Sequence, residues 1–136
     1  MRYAICYIST AVKDLPYKEI QDLFDHARKN NIKNDVKGIL LYSEGNFFQV
    51  LEGDKEYVLP LFSKIEEDPR HHTIIQVVGK EISQGSFDGY EFDVVTEKNK
   101  YDRNLLQEYL EPLDGMDEKV QDVVKNILEV FIDTRV

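Results

Sequence analysis

Between Gly38 and Gly53 the chain reads Gly-Ile-Leu-Leu-Tyr-Ser-Glu-Gly-Asn-Phe-Phe-Gln-Val-Leu-Glu-Gly. Two runs of aliphatic and aromatic residues, too short to make good helices, flank Ser43-Glu44-Gly45-Asn46, a cluster of turn formers whose glycine is free to take positive φ. This is the pattern of a β-hairpin. Side chains alternate across a strand, so Phe47, Gln49 and Leu51 share one face of the second arm and Phe48, Val50 and Glu52 the other. A primary amide therefore sits among core side chains, and each of its polar groups left without a partner costs roughly 1–3 kcal/mol. Either a neighbouring backbone group or hydroxyl satisfies Gln49, as happens for most buried polar groups, or Gln49 faces a bound polar ligand. What else reaches that face decides between them.

The 136 residues suffice for one compact domain with a core of its own and are too few for two of ordinary size. With 26 Asp and Glu against 17 Lys and Arg, the net charge is −9, and the overall field repels nucleic acid, whose binding is driven by phosphate neutralisation. No run approaches a membrane span, and Met1-Arg2-Tyr3 leads into a strand pattern without the apolar region of a signal peptide, which points to a cytoplasmic protein. Cys6 is the sole cysteine, excluding an intrachain disulfide or a thiolate metal cluster, and fits a small buried core residue better than a nucleophile.

Residues 2–9 are rich in β-formers and predict a first strand, with Tyr3, Ile5, Tyr7 and Ser9 on one face. Taken alone, those hydroxyls suit ordinary packing with satisfied OH groups. Asp14-Leu15-Pro16 offers an N-cap and a first-turn proline, and Ile20, Leu23, Phe24 and Ala27 then recur on one helical face. Asn30-Asn31 is expected to end that helix, because asparagine tolerates the left-handed conformation; a pair leaves one of them for other work. Beyond the hairpin, Asp54 should cap a second helix with Val58, Leu61, Phe62 and Ile65 as its stripe. Pro60 should bend or fray its start, and Asp68-Pro69 should close it.

Arg70-His71-His72 then precedes Thr73–Val78, a β-branched fourth strand. An Arg beside a His can hold phosphate or simply form a solvated turn. With His26 the only other histidine and no trusted carboxylate spacing, no metal site is expected. Residues 87–95 alternate as a fifth strand. In the tail, Leu105, Leu106, Tyr109 and Leu110 form one short helical pattern, and Val120, Val123, Val124, Ile127 and Phe131 form another, separated by Gly115. Their apolar stripes must be buried, either on the sheet face left open by the first two helices or in a dimer interface. The expected fold class is α+β: a ferredoxin-like β-α-β-β-α-β-β sandwich, with two helices on one sheet face and a C-terminal helical extension.

Fold alone does not specify chemistry. Cys6-Tyr7-Ile8-Ser9, Ala27-Arg28-Lys29-Asn30-Asn31, Gly38–Tyr42, Phe47–Gly53 and Asp68-Pro69-Arg70-His71, in this order and spacing, resemble the BLUF family of blue-light sensors using FAD. The resemblance runs from about residue 3 to residue 95 and divides the chain into a flavin-binding sensor domain, 1–96, and a two-helix extension, 97–136. It implies an isoalloxazine ring between the helices, sandwiched at Leu23 and Ile65, with Tyr7 and Gln49 at its polar edge. Asn31, with Asn30 beside it, is implied to hydrogen-bond the flavin carbonyl and imide. Arg70 and His71 would lie near the ribityl and phosphate end, with Lys64 a weaker phosphate candidate.

The implied function is photoreception with non-covalently bound FAD, FMN and riboflavin being alternatives, and no enzymatic activity. Light would drive an electron and a proton from Tyr7 through Gln49 and leave the Gln49 amide rearranged. With two helices after the sensor core, the output is expected to pass to an unidentified downstream protein or to a change in a homo-oligomer. The sequence departs from the family where many members carry Trp and Met, having Tyr90 and Phe92 there, and it has Gln84-Gly85-Ser86 where a basic residue often precedes the fifth strand. Two other readings stand beside this one. A non-photoactive interaction module would keep the fold without FAD, although Tyr7, Asn31 and Gln49 together speak against that. An acylphosphatase-like hydrolase would use Arg70 and an Asn on phosphate, but it lacks the usual glycine-rich anion loop.

Overall fold

A computed structural model of the chain describes residues 1–43 and 45–83 and, beyond them, 93–94, 101–102, 118, 122 and 132–133. Strand β1 (Arg2–Ala11) leads to helix α1 (Tyr17–Lys33), the hairpin β2 (Lys37–Ser43) and β3 (Asn46–Asp54), helix α2 (Lys55–Glu67), and strand β4 (His71–Ile82). Strand β5 (Asp93–Val94) completes a five-stranded sheet of order β4-β1-β3-β2-β5. β4, β1, β3 and β2 pair antiparallel, while β5 runs parallel to β2. This is the expected ferredoxin-like arrangement.

The hairpin forms where the turn chemistry places it, with Ser43 opposite Asn46 and Gly45 at φ 82°. At the other end of β2, Gly38 adopts φ 141°, and a Cβ there would lie 1.9 Å from the Val50 carbonyl oxygen. Only glycine fits so close to a neighbouring backbone. The expected alternation holds: Ile5, Tyr7, Leu40, Phe47 and Leu51 join Val58 and Phe62 of α2 in one buried cluster. On the opposite face Cys6, Ile39, Leu41, Phe48 and Val50 are each 0% exposed, so the sheet is buried on both sides.

Both helices follow their predicted stripes but differ at their ends. Pro16, not Asp14, occupies the N-cap position of α1 without a side-chain cap, while Asp14 takes φ 61° in the preceding turn. Helix α1 does not end at Asn30-Asn31. It continues to Lys33, with Asp35 in the left-handed conformation at φ 56°, because aspartate tolerates that region as asparagine does. Both asparagines are thereby helical. Asp54 caps α2, accepting from the Glu56 backbone N–H at 3.2 Å, and Asp68 turns extended before Pro69 as expected. The fraying expected at Pro60 does not occur. The residue lies on the exposed face, and the helix is continuous through it.

Strand β4 begins at His71, two residues before the predicted start, so both histidines are strand residues rather than a turn. A bulge makes this possible. Ile8 faces Ile75 and Thr10 faces His72, leaving Thr73 and Ile74 against one residue of β1, with Thr73 at φ 53°. An extra residue bends the strand and re-aims its side chains.

Of the fifth strand expected at 87–95, residues 93–94 are described and are paired in the sheet. Gln84-Gly85-Ser86, Tyr90, Phe92 and the apolar stripes of the two tail helices lie outside the described residues. Glu118 and Asp122 are helical and exposed. Tyr101–Asp102 (β6) and Ile132–Asp133 (β7) pair in parallel, which the helical patterns of the tail did not foreshadow.

Gly38→Ala is expected to destabilise the fold by about 1–3 kcal/mol, the usual cost of forcing a side chain into a strained backbone position. A lower denaturant midpoint with an unchanged m-value would show it, and an unchanged midpoint would contradict it.

Candidate functional site

Two neighbouring strands put a phenol against an amide. In the β1–β3 register Tyr7 lies directly opposite Gln49, and the Tyr7 hydroxyl donates to Gln49 Oε1 at 2.5 Å. Both residues are 3% exposed. Burial above all, then the negative charge of Asp68, pushes the Tyr7 phenol far above its ordinary range, so the hydroxyl keeps its proton and acts as the donor. Phe62 and His71 flank the phenol, at ring-centroid distances of 5.4 and 6.3 Å, and hold it in place.

Tyr7 and Gln49 form the floor of a cavity of about 280 Å3 between the sheet and the two helices. That is close to the lower end of the roughly 300–1,000 Å3 typical of small-molecule sites. Leu23 and Ala27 of α1 and Leu61 and Ile65 of α2 supply apolar walls, so the helical stripes that should seal on the core instead leave a slot. Asn31 reaches the cavity from α1 and is 3% exposed. Its side-chain amide makes no hydrogen bond to a described residue, and neither does Nε2 of Gln49. Two buried amides with spare donors and acceptors thus face an otherwise apolar slot.

The cavity mouth is charged. Arg70 forks onto Asp68, with Nε at 2.9 Å from Oδ1 and Nη2 at 2.5 Å from Oδ2, and the Arg70 backbone N–H also reaches Oδ1 at 2.9 Å. The side-chain bonds from Arg70 hold the Asp68 carboxyl below the usual range, outweighing the upward push of partial burial. Lys64, by contrast, makes no ion pair with a described residue. The cation ranked second in the sequence is therefore the less committed of the two.

His71 is fixed by both ring nitrogens. The carbonyl oxygen of Ile65 can only accept, so Nε2 carries a hydrogen and donates to it at 2.5 Å. Nδ1 lies 2.7 Å from Ser9 Oγ and, in the neutral ring, accepts the serine hydroxyl. The ring thus ties β1 to the end of α2 and forms part of the cavity wall. It owes this position to the bulge at Thr73, and no residue pattern in the sequence announces that.

All nine residues singled out in the sequence, Tyr7, Leu23, Asn30, Asn31, Gln49, Lys64, Ile65, Arg70 and His71, line this one cavity. His26, Tyr57, Phe47, Leu40 and Asp68 line it too and were not singled out as site residues. His26 precedes Asn30 by four positions on α1, a spacing that places both on one helical face and could have drawn attention to it. Cys6 lies on the other sheet face, 0% exposed, and burial raises its thiol well above the ordinary range, in keeping with a core role.

A family model described as sensors of blue-light using FAD matches residues 3–93. The blue light- and temperature-regulated antirepressor BluF of Escherichia coli is 37% identical over 78 residues, covering 57% of this chain and 19% of the relative. The photoactivated adenylate cyclase subunit beta of Euglena longa is 34% identical over 73 residues, covering 54% of this chain and 8% of the relative. The chain thus spans a fifth or less of the length of these curated relatives. Among solved structures, BlsA in its photo-activated state superposes with a TM-score of 0.65 at 27% identity, with 100% of both chains covered.

Asp68→Asn is expected to lower stability at neutral pH by about 0.5–1 kcal/mol, the solvent-screened worth of a partly exposed pair. The folded carboxyl titrates below its unfolded value, so the ionised pair stabilises above the ordinary aspartate value of about 3.9 and loses that effect as pH falls through the depressed value. Denaturation of both proteins across that range should show the gap between them closing towards low pH.

Proposed function

Because the chain belongs to the BLUF family of blue-light sensors, which use FAD, we propose that its cavity holds the flavin ring and that Tyr7 and Gln49 carry the light-driven step. The observation carrying this reading is the buried Tyr7-to-Gln49 hydrogen bond at 2.5 Å, set in a slot with two unengaged amide edges. A flat heterocycle with an apolar body and a carbonyl-imide rim matches that donor set: Leu23, Ala27, Leu61 and Ile65 meet its faces, and Asn31, Asn30 and Gln49 its rim. A slot of this volume suits the ring system, leaving the phosphates for the mouth. There Lys64 is the less committed cation and Arg70 contributes what its pairing with Asp68 leaves free.

When bound and excited by blue light, the flavin supplies the oxidant. Tyr7 would give up an electron and pass its hydroxyl proton along the bond to Gln49 Oε1 while Gln49 Nε2 releases one of its own hydrogens into the cavity, so that the amide stays neutral, and recombination would return electron and proton to Tyr7. The phenol is suited to this because it starts protonated and already hydrogen-bonded, so no donor has to move into place. Gln49 presents a donor and an acceptor on one planar group. Rotation or tautomerisation of that amide changes what it offers to the rim without breaking a covalent link.

The sheet register supports a route outward. Gln49 pairs with Leu40 of β2, and Leu40 with Val94 of β5. A rearranged Gln49 is thus separated from β5 by one strand, and β5 is the element proposed to pass the change to a partner protein or to a second copy of the chain. On this reading the chain is a sensor and not itself an enzyme. Among the described residues no helix is long and apolar enough to cross a membrane.

Illumination of the FAD-loaded protein is expected to give a reversible red shift of the flavin absorption. Gln49→Leu and Tyr7→Phe should each bind FAD and lose that shift. A normal reversible shift in either variant would overturn the proposed relay.

A further inference from the structure

Asn30 is held from the side by a histidine with no part in the proposed relay. Its Nδ2 lies 2.8 Å from His26 Nε2, one helical turn earlier on α1, and both side chains line the cavity. The amide nitrogen only donates, so in this geometry Nε2 is the acceptor. The Asn30 backbone is fixed independently, since its carbonyl oxygen accepts from the Asn34 backbone N–H at 3.1 Å and from Asn34 Nδ2 at 2.8 Å. The orientation of the Asn30 carboxamide therefore depends on His26.

We propose that His26 is a positioning residue of the flavin site, whose protonation state sets which edge of the Asn30 carboxamide faces the cavity. The inference rests on the flavin reading above. A neutral His26 engages one Nδ2 hydrogen and leaves Asn30 with its oxygen and one N–H for the ligand. An imidazolium has no acceptor nitrogen, so the bond as it stands is lost, and turning the amide over to give its oxygen to His26 restores a contact between them. Two N–H donors then replace the acceptor in the cavity. The flavin rim offers both carbonyl oxygens and an imide N–H, and it meets a different partner in each state.

Several other ionisable groups share the surroundings of His26. Asp22, Asp25 and Lys29 lie on the same helix, and Tyr7, Tyr57, Lys64, Asp68, Arg70 and His71 line the same cavity from β1, α2 and the turn after it. Tyr7 is raised, Arg70 is raised and Asp68 is lowered, and each of these directions leads away from the neutral range. His71 is a second imidazole lining the cavity, and its Nε2 hydrogen is given to the Ile65 carbonyl while its Nδ1 faces Ser9. A variant at His26 separates the two histidines.

The test follows the dark absorption of the FAD-loaded protein from about pH 5 to 8, the interval over which imidazoles exchange their proton. The wild type is expected to show one step in band position. His26→Gln, whose side-chain oxygen can accept from Asn30 but does not titrate, should show none, whatever its affinity for FAD. His26→Ala should weaken FAD binding by roughly two- to tenfold, the worth of one lost exposed hydrogen bond, and His26→Gln should restore it. A readout without flavin is the Asn30 side-chain amide and His26 ring nitrogen chemical shifts, which should titrate together in the flavin-free protein. A spectrum with no step in the wild type, an equal step in His26→Gln, or Asn30 shifts indifferent to His26 would each overturn the proposal. If FAD binds and the red shift is normal while His26→Gln behaves as the wild type, this inference fails and the light-sensing reading stands. If no FAD binds at all, both fall.

Discussion

The hydrogen bond from Tyr7 to Gln49 exists because strand pairing leaves it no alternative. Two residues directly opposite in an antiparallel pair have their side chains on the same face a few ångströms apart. When both are polar and that face is the core, each is the partner nearest to hand. An amide there costs roughly 1–3 kcal/mol for each unmet group, so the register that places Tyr7 opposite Gln49 is also the one that leaves Gln49 Oε1 satisfied. A one-residue slip would turn the phenol to the other face and strand the amide.

The same accounting explains why a cavity persists in a domain of this size. Protein interiors close to crystal-like density wherever apolar surfaces can meet. Here the helix faces carrying Leu23, Ala27 and Ile65 would have to close over Asn31 and over Nε2 of Gln49, and apolar atoms give those groups no partner. Around the slot, two other polar groups are already committed within the protein: His71 to Ser9 and Ile65, and Arg70 to Asp68. The pattern of committed walls and uncommitted rim is what a site built for a polar-edged ring requires.

The family model matches residues 3–93, and within that span Tyr90 and Phe92, which the sequence reading set against the family's Trp and Met, lie outside the described residues. The light-responsive chemistry and its output thus stand on different footings. The first rests on a cavity lined by described side chains of β1, β2, β3, α1 and α2 and the turn after α2. The second rests on one short parallel pairing, in which Ile39 and Leu40 meet Asp93 and Val94.

Period-2 and period-3.6 patterns made the strands, the helices and the two-faced sheet legible in the sequence, because those periods are local geometry. Gly45 and Asp54 announced their turn and cap for the same reason. That Tyr7, Gln49 and the rest of the nine candidates would meet at one cavity was suggested by the family resemblance, since alternation puts Gln49 on the core face without saying what opposes it. Tertiary structure alone decided the rest. The end of α1 beyond Asn31, the bulge at Thr73 that delivers His71 to Ser9, the capture of Arg70 by Asp68 and the hold of His26 on Asn30 depend on distances between atoms, and no local periodicity encodes those.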